Sequence, residues 1–171
     1  MKLIYETHST TRDNERGIAT GWQPGELSEE GIREAIAMGA RRREVDVVFS
    51  SDLRRAVHSV ELADLTVPHF QDWRLRECDY GDLNGAPVDA LEPRVDRVHK
   101  PFPAGQSYWD VVELTRSFLA DLKRWHNGQV VLVVAHSANR WAFEHLLGSH
   151  APLEDLITAP FNWQPGWEYD V

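Results

Sequence analysis

Two apolar segments of this sequence end in the same way, with a histidine followed by a serine. The run "KLIYET" leads into His8-Ser9, and the run "QVVLVVA" leads into His136-Ser137. A neutral imidazole is a nucleophile at pH 7, whereas serine and lysine side chains need activation. The repeated pattern therefore indicates two strands that each deliver an imidazole to chemistry or to binding.

An arginine pair strengthens this interpretation. Arg54-Arg55 follow a third apolar run, "VDVVFS". A single histidine at a strand end is more often just hydrogen-bonded to backbone. Two imidazoles and a guanidinium around one point form an anion site of phosphate size, and helix N-termini would add free N–H groups. An acidic residue in a nearby loop would complete a set of groups able to move a proton.

Other chemistries lack their usual sequence signatures. The eight histidines include no HExxH motif, which leaves no predicted metal site. The sequence has no GxxxxGK[ST], GxGxxG or GxSxG motif, so nucleotide-binding loops and serine hydrolases are not favoured. We expect neither a metal nor another cofactor.

The pattern of apolar residues predicts strands that alternate with helices. Buried runs predict strands at 2–6, 45–50, 66–70 and 129–135. Helical spacing predicts helices at 29–43, 107–126 and 137–147, the last closed by Gly148. A further helix is predicted to begin after an N-cap at Ser51 or Asp52. This alternation predicts a three-layer α/β/α sandwich with a mostly parallel central sheet, in which ligands bind beyond the carboxyl ends of the strands.

The remaining segments are predicted to be irregular. Residues 7–27 are rich in Thr, Gly and Pro and indicate a loop. Residues 72–105 contain several Gly and Pro residues and predict a lid-like insertion. The tail "FNWQPGWEYDV" predicts a closing strand or hairpin. With no linker or internal repeat, residues 1–171 are expected to form a single domain.

Charge and cysteine content narrow the possible partners. The formal net charge is -9, which argues against nucleic acid and anionic membranes. The basic run 41–43 is expected to complement the negative end of a helix dipole. The only cysteine, Cys78, and the absence of an apolar leader favour a cytoplasmic protein. The oligomeric state cannot be read from the sequence.

Five ordered motifs resemble the histidine phosphatase superfamily, whose fold is that of phosphoglycerate mutase. "THS" stands where the family has Arg-His-Gly, and "ATGWQPGELSEEG" resembles its Thr-Gly loop. "SSDLRRAVHS" resembles Ser-x-Leu-x-Arg-Ala, and "LRECDYGDLNG" resembles Leu-x-Glu-x-x-x-Gly-x-x-x-Gly. "VVAHSANR" resembles the second-histidine motif, and the order holds over about residues 2–148.

The resemblance implies roles for individual residues. His8 would be the phosphoryl acceptor, and Glu77 would be the proton donor. His136 and Arg55, rather than Arg54, would hold the phosphoryl oxygens. The resemblance also places Asn14 and the Thr20-Gly21 loop at the phosphate, as hydrogen-bonding groups.

The sequence departs from the family at Thr7, Ser9 and Ser137. Thr7 stands where the family has an arginine that grips the transferring phosphoryl group, and loss of one such donor typically costs roughly 10²–10³ in rate. The serines replace glycines and add hydroxyls beside both histidines. Arg12, Arg16 and Arg140 are candidates to supply the missing charge.

These observations predict a metal-independent phosphomonoesterase that hydrolyses a small phosphorylated metabolite through a phosphohistidine. Thr7 supports an alternative, a repurposed member that binds an anionic ligand without phosphoryl transfer. A mutase is a third possibility, which the short chain disfavours because family mutases generally carry larger insertions. The expected partner is a small-molecule phosphate ester.

Overall fold

The computed structural model describes all residues, 1–171, as an α/β fold with a mostly parallel central sheet. Its α-helices are α1 (Arg12–Arg16), α2 (Glu29–Arg41), α3 (Arg54–Ala63), α4 (Tyr108–Trp125), α5 (Ser137–Leu147) and α6 (Leu153–Thr158). Its strands are β1 (Lys2–Thr7), β2 (Ile18–Ala19), β3 (Val47–Ser50), β4 (His69–Gln71), β5 (Ala86–Pro87), β6 (Val130–Ala135) and β7 (Trp167–Asp170).

The central sheet has the strand order β4-β3-β6-β1-β7. The first four strands are parallel to their neighbours, and β7 runs antiparallel to β1. The β-branched run of β6 lies in the middle, because it is the strand that can be buried on both faces. Three strands therefore end side by side at one edge, namely β3, β6 and β1.

Alternate residues of these strands enter two separate cores. One face packs against α2 and α3 and contains Ile4, Met38, Val45, Val48, Val60, Ala63, Leu132 and Val134. The other face packs against α4 and α5 and includes Leu3, Tyr5, Val47, Phe118, Leu122, Val131, Val133 and Phe143. Since side chains alternate along a strand, one sheet fills both cores, and the predicted three layers are present.

The segment 72–105 has a core of its own. It contains four short 3₁₀ helices, and its buried side chains include Tyr80, Leu91, Val98 and Phe102. These pack against Tyr108 at the start of α4 and against residues of α5. The segment predicted to be a lid is thus a packed wall beside the carboxyl ends of the strands.

Several local predictions were wrong. Residues 7–27 contain α1 and β2, since Thr11 and Asn14 form a capping box that starts a short helix. Helix α3 begins after Leu53 without a side-chain cap, so neither Ser51 nor Asp52 has that role. Helix α6 was not predicted at all.

The basic run at the end of α2 does more than complement a dipole. Arg41 and Arg42 both bind the carboxylate of Glu6, which is 4% exposed on β1. Arg42 also donates to the carbonyl of Pro165 in the tail. This cluster joins α2, β1 and the C-terminal segment at the edge where the strands end.

No helix in the chain is both long and apolar enough to cross a membrane.

Candidate active site

Strand register places the two histidines side by side. The parallel pairing of β1 with β6 ends at Thr7 opposite Ala135, so the next residue on each strand is a histidine. The ring centroids of His8 and His136 are 5.0 Å apart. Ser51, the residue after β3, reaches His136 from the other side of β6. Three neighbouring strand ends therefore deliver one polar cluster, as the sequence predicts.

The hydrogen bond of His8 determines which ring nitrogen is free. Its Nδ1 lies 2.8 Å from the carbonyl oxygen of Ser9. A carbonyl can only accept, so Nδ1 carries the proton and Nε2 keeps its lone pair. Burial, and then the charge of Arg55, lowers the pKa of His8 to about 3. The imidazole is therefore neutral near pH 7 and has a nucleophilic nitrogen.

His136 is more deeply buried than His8. It is 0% exposed, and its Nε2 lies 2.6 Å from Oγ of Ser51. Its backbone N–H donates to Oδ1 of Asn139 at 3.0 Å, which fixes it at the start of α5. Burial lowers the pKa of His136 well below its ordinary value, and Arg55 and His8 add to the effect. His136 is therefore held in place through both its backbone and its imidazole ring.

Arg55 brings a buried positive charge to the pair. It is 2% exposed and donates to the carbonyl oxygens of Gly21 at 2.7 Å and Gln23 at 3.1 Å. These bonds use two of the five N–H donors of a guanidinium, so donors remain for an anion. Gly21 has φ +55°, and a Cβ there would lie 1.8 Å from the side chain of Asn84, so the turn requires glycine.

Glu77 is a buried carboxyl group in the same cluster. Its Oε1 accepts from the backbone N–H of Cys78 at 2.8 Å and of Ala138 at 3.3 Å. These bonds and the charge of Arg55 favour the carboxylate, but burial outweighs them and raises the pKa of Glu77. Trp22 donates to the backbone carbonyl of Glu77 at 2.7 Å.

A cavity of about 580 Å³ opens onto this cluster. The predicted site residues that line it are His8, Asn14, Thr20, Gly21, Arg55, Glu77 and Ser137. The side chain of Asn14 also accepts from the backbone N–H of Thr11, the N-cap of α1, and the hydroxyl of Thr20 donates to Asp13 at 2.8 Å. His136 is buried and does not line this cavity.

Thr7 and Ser9 face a different space. Both line a second cavity of about 330 Å³, which also contacts His8, Asn14 and Ser137. Ser9 is 7% exposed, and its backbone N–H donates to Oγ of Ser59 at 2.9 Å. Glu34 and Arg41 line the far part of this cavity. The threonine thus borders an open space beside His8.

Some residues that line the main cavity were not predicted from the sequence. Tyr80, Arg94 and Phe161 line the main cavity, although no motif marks them. Of the arginines suggested to supply charge, Arg140 lines the main cavity, while Arg12 lies exposed on α1 and lines neither space. The spacing of Arg140, one helical turn after His136, is the signal that pointed to it. The structure brings together no group of three His, Cys, Asp or Glu side chains that could hold a metal ion.

Comparison with known proteins identifies the family. The model of the histidine phosphatase superfamily (branch 1) matches residues 7–159. The chain belongs to this superfamily. The phosphoglycerate-mutase-like fold that the sequence predicts is thereby confirmed.

Similar members of the superfamily include both mutases and phosphatases. A 2,3-bisphosphoglycerate-dependent phosphoglycerate mutase of Methylobacterium is 34% identical over 154 residues, which are 78% of this chain and 74% of the mutase. The same type of mutase in Neisseria meningitidis matches over 94 residues at 35% identity, half of this chain and 41% of the mutase.

Solved structures of histidine phosphatases match over most of the chain. A mycobacterial glucosyl-3-phosphoglycerate phosphatase, in complex with VO3, superposes with a TM-score of 0.78 at 27% identity. That match covers 93% of this chain and 87% of the phosphatase. Bacillus stearothermophilus YhfR superposes with a TM-score of 0.86 at 23% identity, covering 99% and 91%. Because its identity is only 23%, the likeness to YhfR supports the fold alone.

Proposed function

We propose that this histidine phosphatase is a phosphomonoesterase that acts on a small phosphorylated metabolite through a phosphohistidine at His8. The observation that carries the proposal is a neutral imidazole with a free Nε2, placed in one cavity with Arg55 and Glu77 and 5.0 Å from a second imidazole. The cavity admits a small molecule. We also propose a cytoplasmic location and a covering role for residues 72–105.

The first step forms a phosphorus–nitrogen bond and breaks the ester bond. Nε2 of His8 attacks phosphorus, and the proton of Glu77 passes to the leaving oxygen. The phosphoimidazole carries its positive charge on a ring whose Nδ1–H donates to Ser9, which stabilises the intermediate. The raised pKa of Glu77 favours the protonated acid that this step needs.

The second step returns both groups to their starting states. A water molecule attacks phosphorus and gives a proton to the Glu77 carboxylate, and the phosphorus–nitrogen bond breaks. Arg55 and His136 stabilise the oxygens of the phosphoryl group in both steps, where charge develops. Inorganic phosphate and the alcohol are the products.

The test is hydrolysis of 4-nitrophenyl phosphate, with and without a metal chelator, by the wild type and by His8→Ala. We expect chelator-resistant turnover that the substitution abolishes, and an added mass of one phosphoryl group in wild type only, measured after an alkaline quench because phosphohistidine is stable in base and hydrolyses in acid. Glu77→Gln is the matched variant for the acid. It should lower turnover of an alkyl phosphate far more than that of 4-nitrophenyl phosphate, because nitrophenolate leaves without protonation.

Thr7 supports a second candidate, an anion-binding protein without phosphoryl transfer. In that case the wild type and His8→Ala would be equally inactive, while inorganic phosphate would still bind. The similarity to bisphosphoglycerate-dependent mutases supports a third. A mutase would need a bisphosphorylated primer, and its product would keep the phosphoryl group.

A further inference from the structure

Arg140 has an unusual environment for an arginine. It lies on α5, one turn after His136, and its Nε is buried without a hydrogen-bond partner. Its guanidinium carbon lies 5.5 Å from the ring centre of Phe161 and 5.3 Å from that of Trp167. Arg140 takes part in none of the ion pairs found in the structure.

The other arginines of the main cavity are already engaged. Arg94 pairs with Glu92, and Arg55 donates to two carbonyl groups. Arg140 has five N–H donors and takes part in no side-chain hydrogen bond or ion pair; its cation–π contacts with two rings offset part of the cost of burial, and its charge is one of the groups that lower the pKa of Glu144, one turn further along α5. Contacts with ring faces leave the N–H edge of a guanidinium available, and that edge binds carboxylates and phosphates in a bidentate manner.

The charge of Arg140 acts on a different region from that of Arg55. Arg55 lowers the pKa values of His8 and His136 at the strand ends. Burial raises the pKa values of Tyr5 and Tyr169, and it is the charge of Arg140 that counteracts this rise. Arg140 lines the same cavity as Arg55 and forms a second cationic point there.

We infer that Arg140 binds a second anionic group of the substrate, a carboxylate or a further phosphate. This inference rests on the proposed function and narrows it to phosphate monoesters that carry another negative charge. The phosphoryl group would lie at His8 and Arg55. The second anion would lie against Arg140 beside Phe161, which lines the same cavity.

The experiment compares phenyl phosphate, 3-carboxyphenyl phosphate and 1,3-phenylene bisphosphate as substrates. We expect wild type to favour the latter two in kcat/KM, chiefly through KM, and the larger gain identifies the anion. Arg140→Met keeps an unbranched stem and removes the charge. It should raise KM for the favoured substrate by about 10–100-fold, the usual value of a charged hydrogen bond, and change phenyl phosphate by less than about 2-fold.

Two further variants serve as controls. Arg140→Lys should keep part of the preference, while Arg94→Met, which removes a paired charge from the same cavity, should keep all of it. Urea unfolding of each variant separates loss of the fold from loss of the subsite. Equal losses of kcat on all three substrates, or a wild type without preference, would overturn the inference.

A wild type that hydrolyses none of the three substrates would contradict the proposed function instead. Calorimetry with phenylphosphonate and 3-carboxyphenylphosphonate then tests the subsite by itself. Tighter binding of the carboxylated compound to wild type, lost in Arg140→Met, supports the inference without catalysis. Equal binding of the two compounds overturns it.

Discussion

The ends of β1 and β6 have the same sequence pattern but different environments. Each strand delivers a histidine followed by a serine, and strand register places the two rings side by side. His8 is half-buried and borders both cavities, whereas His136 is 0% exposed and borders neither. Equivalent strand ends thus give one accessible imidazole and one enclosed imidazole.

The elements that follow the strands cause this difference. After His8 the chain continues as an extended segment to Thr11, the cap of the short helix α1. After His136 the chain enters α5 at once, and Asn139 and Ser51 hold the residue in place. A local pattern can therefore locate a pair of histidines, but the packing of the next element decides how far each ring is exposed.

The largest expected effect separates the two histidines directly. His8→Gln should lower turnover of 4-nitrophenyl phosphate by about 10⁴-fold or more, because it removes the nucleophile. His136→Gln should lower it by about 10²–10³-fold, the effect of losing one stabilising donor. Intact mass after an alkaline quench should detect a phosphoryl group on His136→Gln and none on His8→Gln. Labelling of His8→Gln would assign the two roles the other way round.

The sequence predicted the parts of the site that depend on strands. Apolar runs that end at His8 and His136 predict two strand ends, and parallel neighbours end at one edge of the sheet. Resemblance to a family was needed to choose Glu77, since its segment has no regular periodicity. His8 and Glu77 border one cavity, and the ring of His136 lies 5.0 Å from that of His8, so the chain brings the three together; their chemical roles remain predictions.

The parts that could not be predicted depend on contacts between distant segments. The sequence around Glu6 predicts a strand, but no neighbouring residue indicates that Arg41 and Arg42 will pair with its carboxylate. The environment of Arg140 likewise requires Phe161 and Trp167, which come from the tail. Periodicity predicts the helix or strand to which a residue belongs. Its contacts with distant segments are determined only when the layers pack together.

A smaller effect is expected from restoring charge beside His8 alone. Thr7 borders the 330 Å³ cavity, which gives an arginine side chain room. Thr7→Arg should raise kcat/KM for 4-nitrophenyl phosphate about 10-fold, less than a native donor contributes because its geometry is not optimised. Thr7→Met is the matched control, because methionine is also a long unbranched side chain but carries no charge.

One competing contact affects this prediction. Glu34 lines the same cavity and accepts from the backbone N–H of Thr10 at 2.8 Å. A carboxylate there would draw the new arginine away from the phosphoryl group. Thr7→Arg combined with Glu34→Gln should therefore show a larger gain than Thr7→Arg alone. A loss of activity in both variants would mean that the site requires the threonine.

The smallest effect concerns the response of the two histidines to acid. Burial lowers the pKa values of both, that of His8 to about 3, relative to an ordinary value of 6.5. The unfolded chain therefore binds protons first as the pH falls. Stability from the neutral rings is present above pH 6.5 and declines below it, by up to about 1.4 kcal/mol per pH unit for each histidine.

Urea unfolding between pH 8 and 5 measures this decline in wild type and in His136→Gln. The variant lacks one neutral buried ring, so its stability should fall less steeply below pH 6.5. Glu77 acts in the opposite direction, because burial raises its pKa and its stabilising contribution is lost as the pH rises above its ordinary value of 4.5. Adding Glu77→Gln to both proteins removes that contribution, and the difference between their slopes should persist. Identical slopes would mean that His136 can be protonated in the folded protein, and the contrast between the two strand ends would then be one of access to the cavity alone.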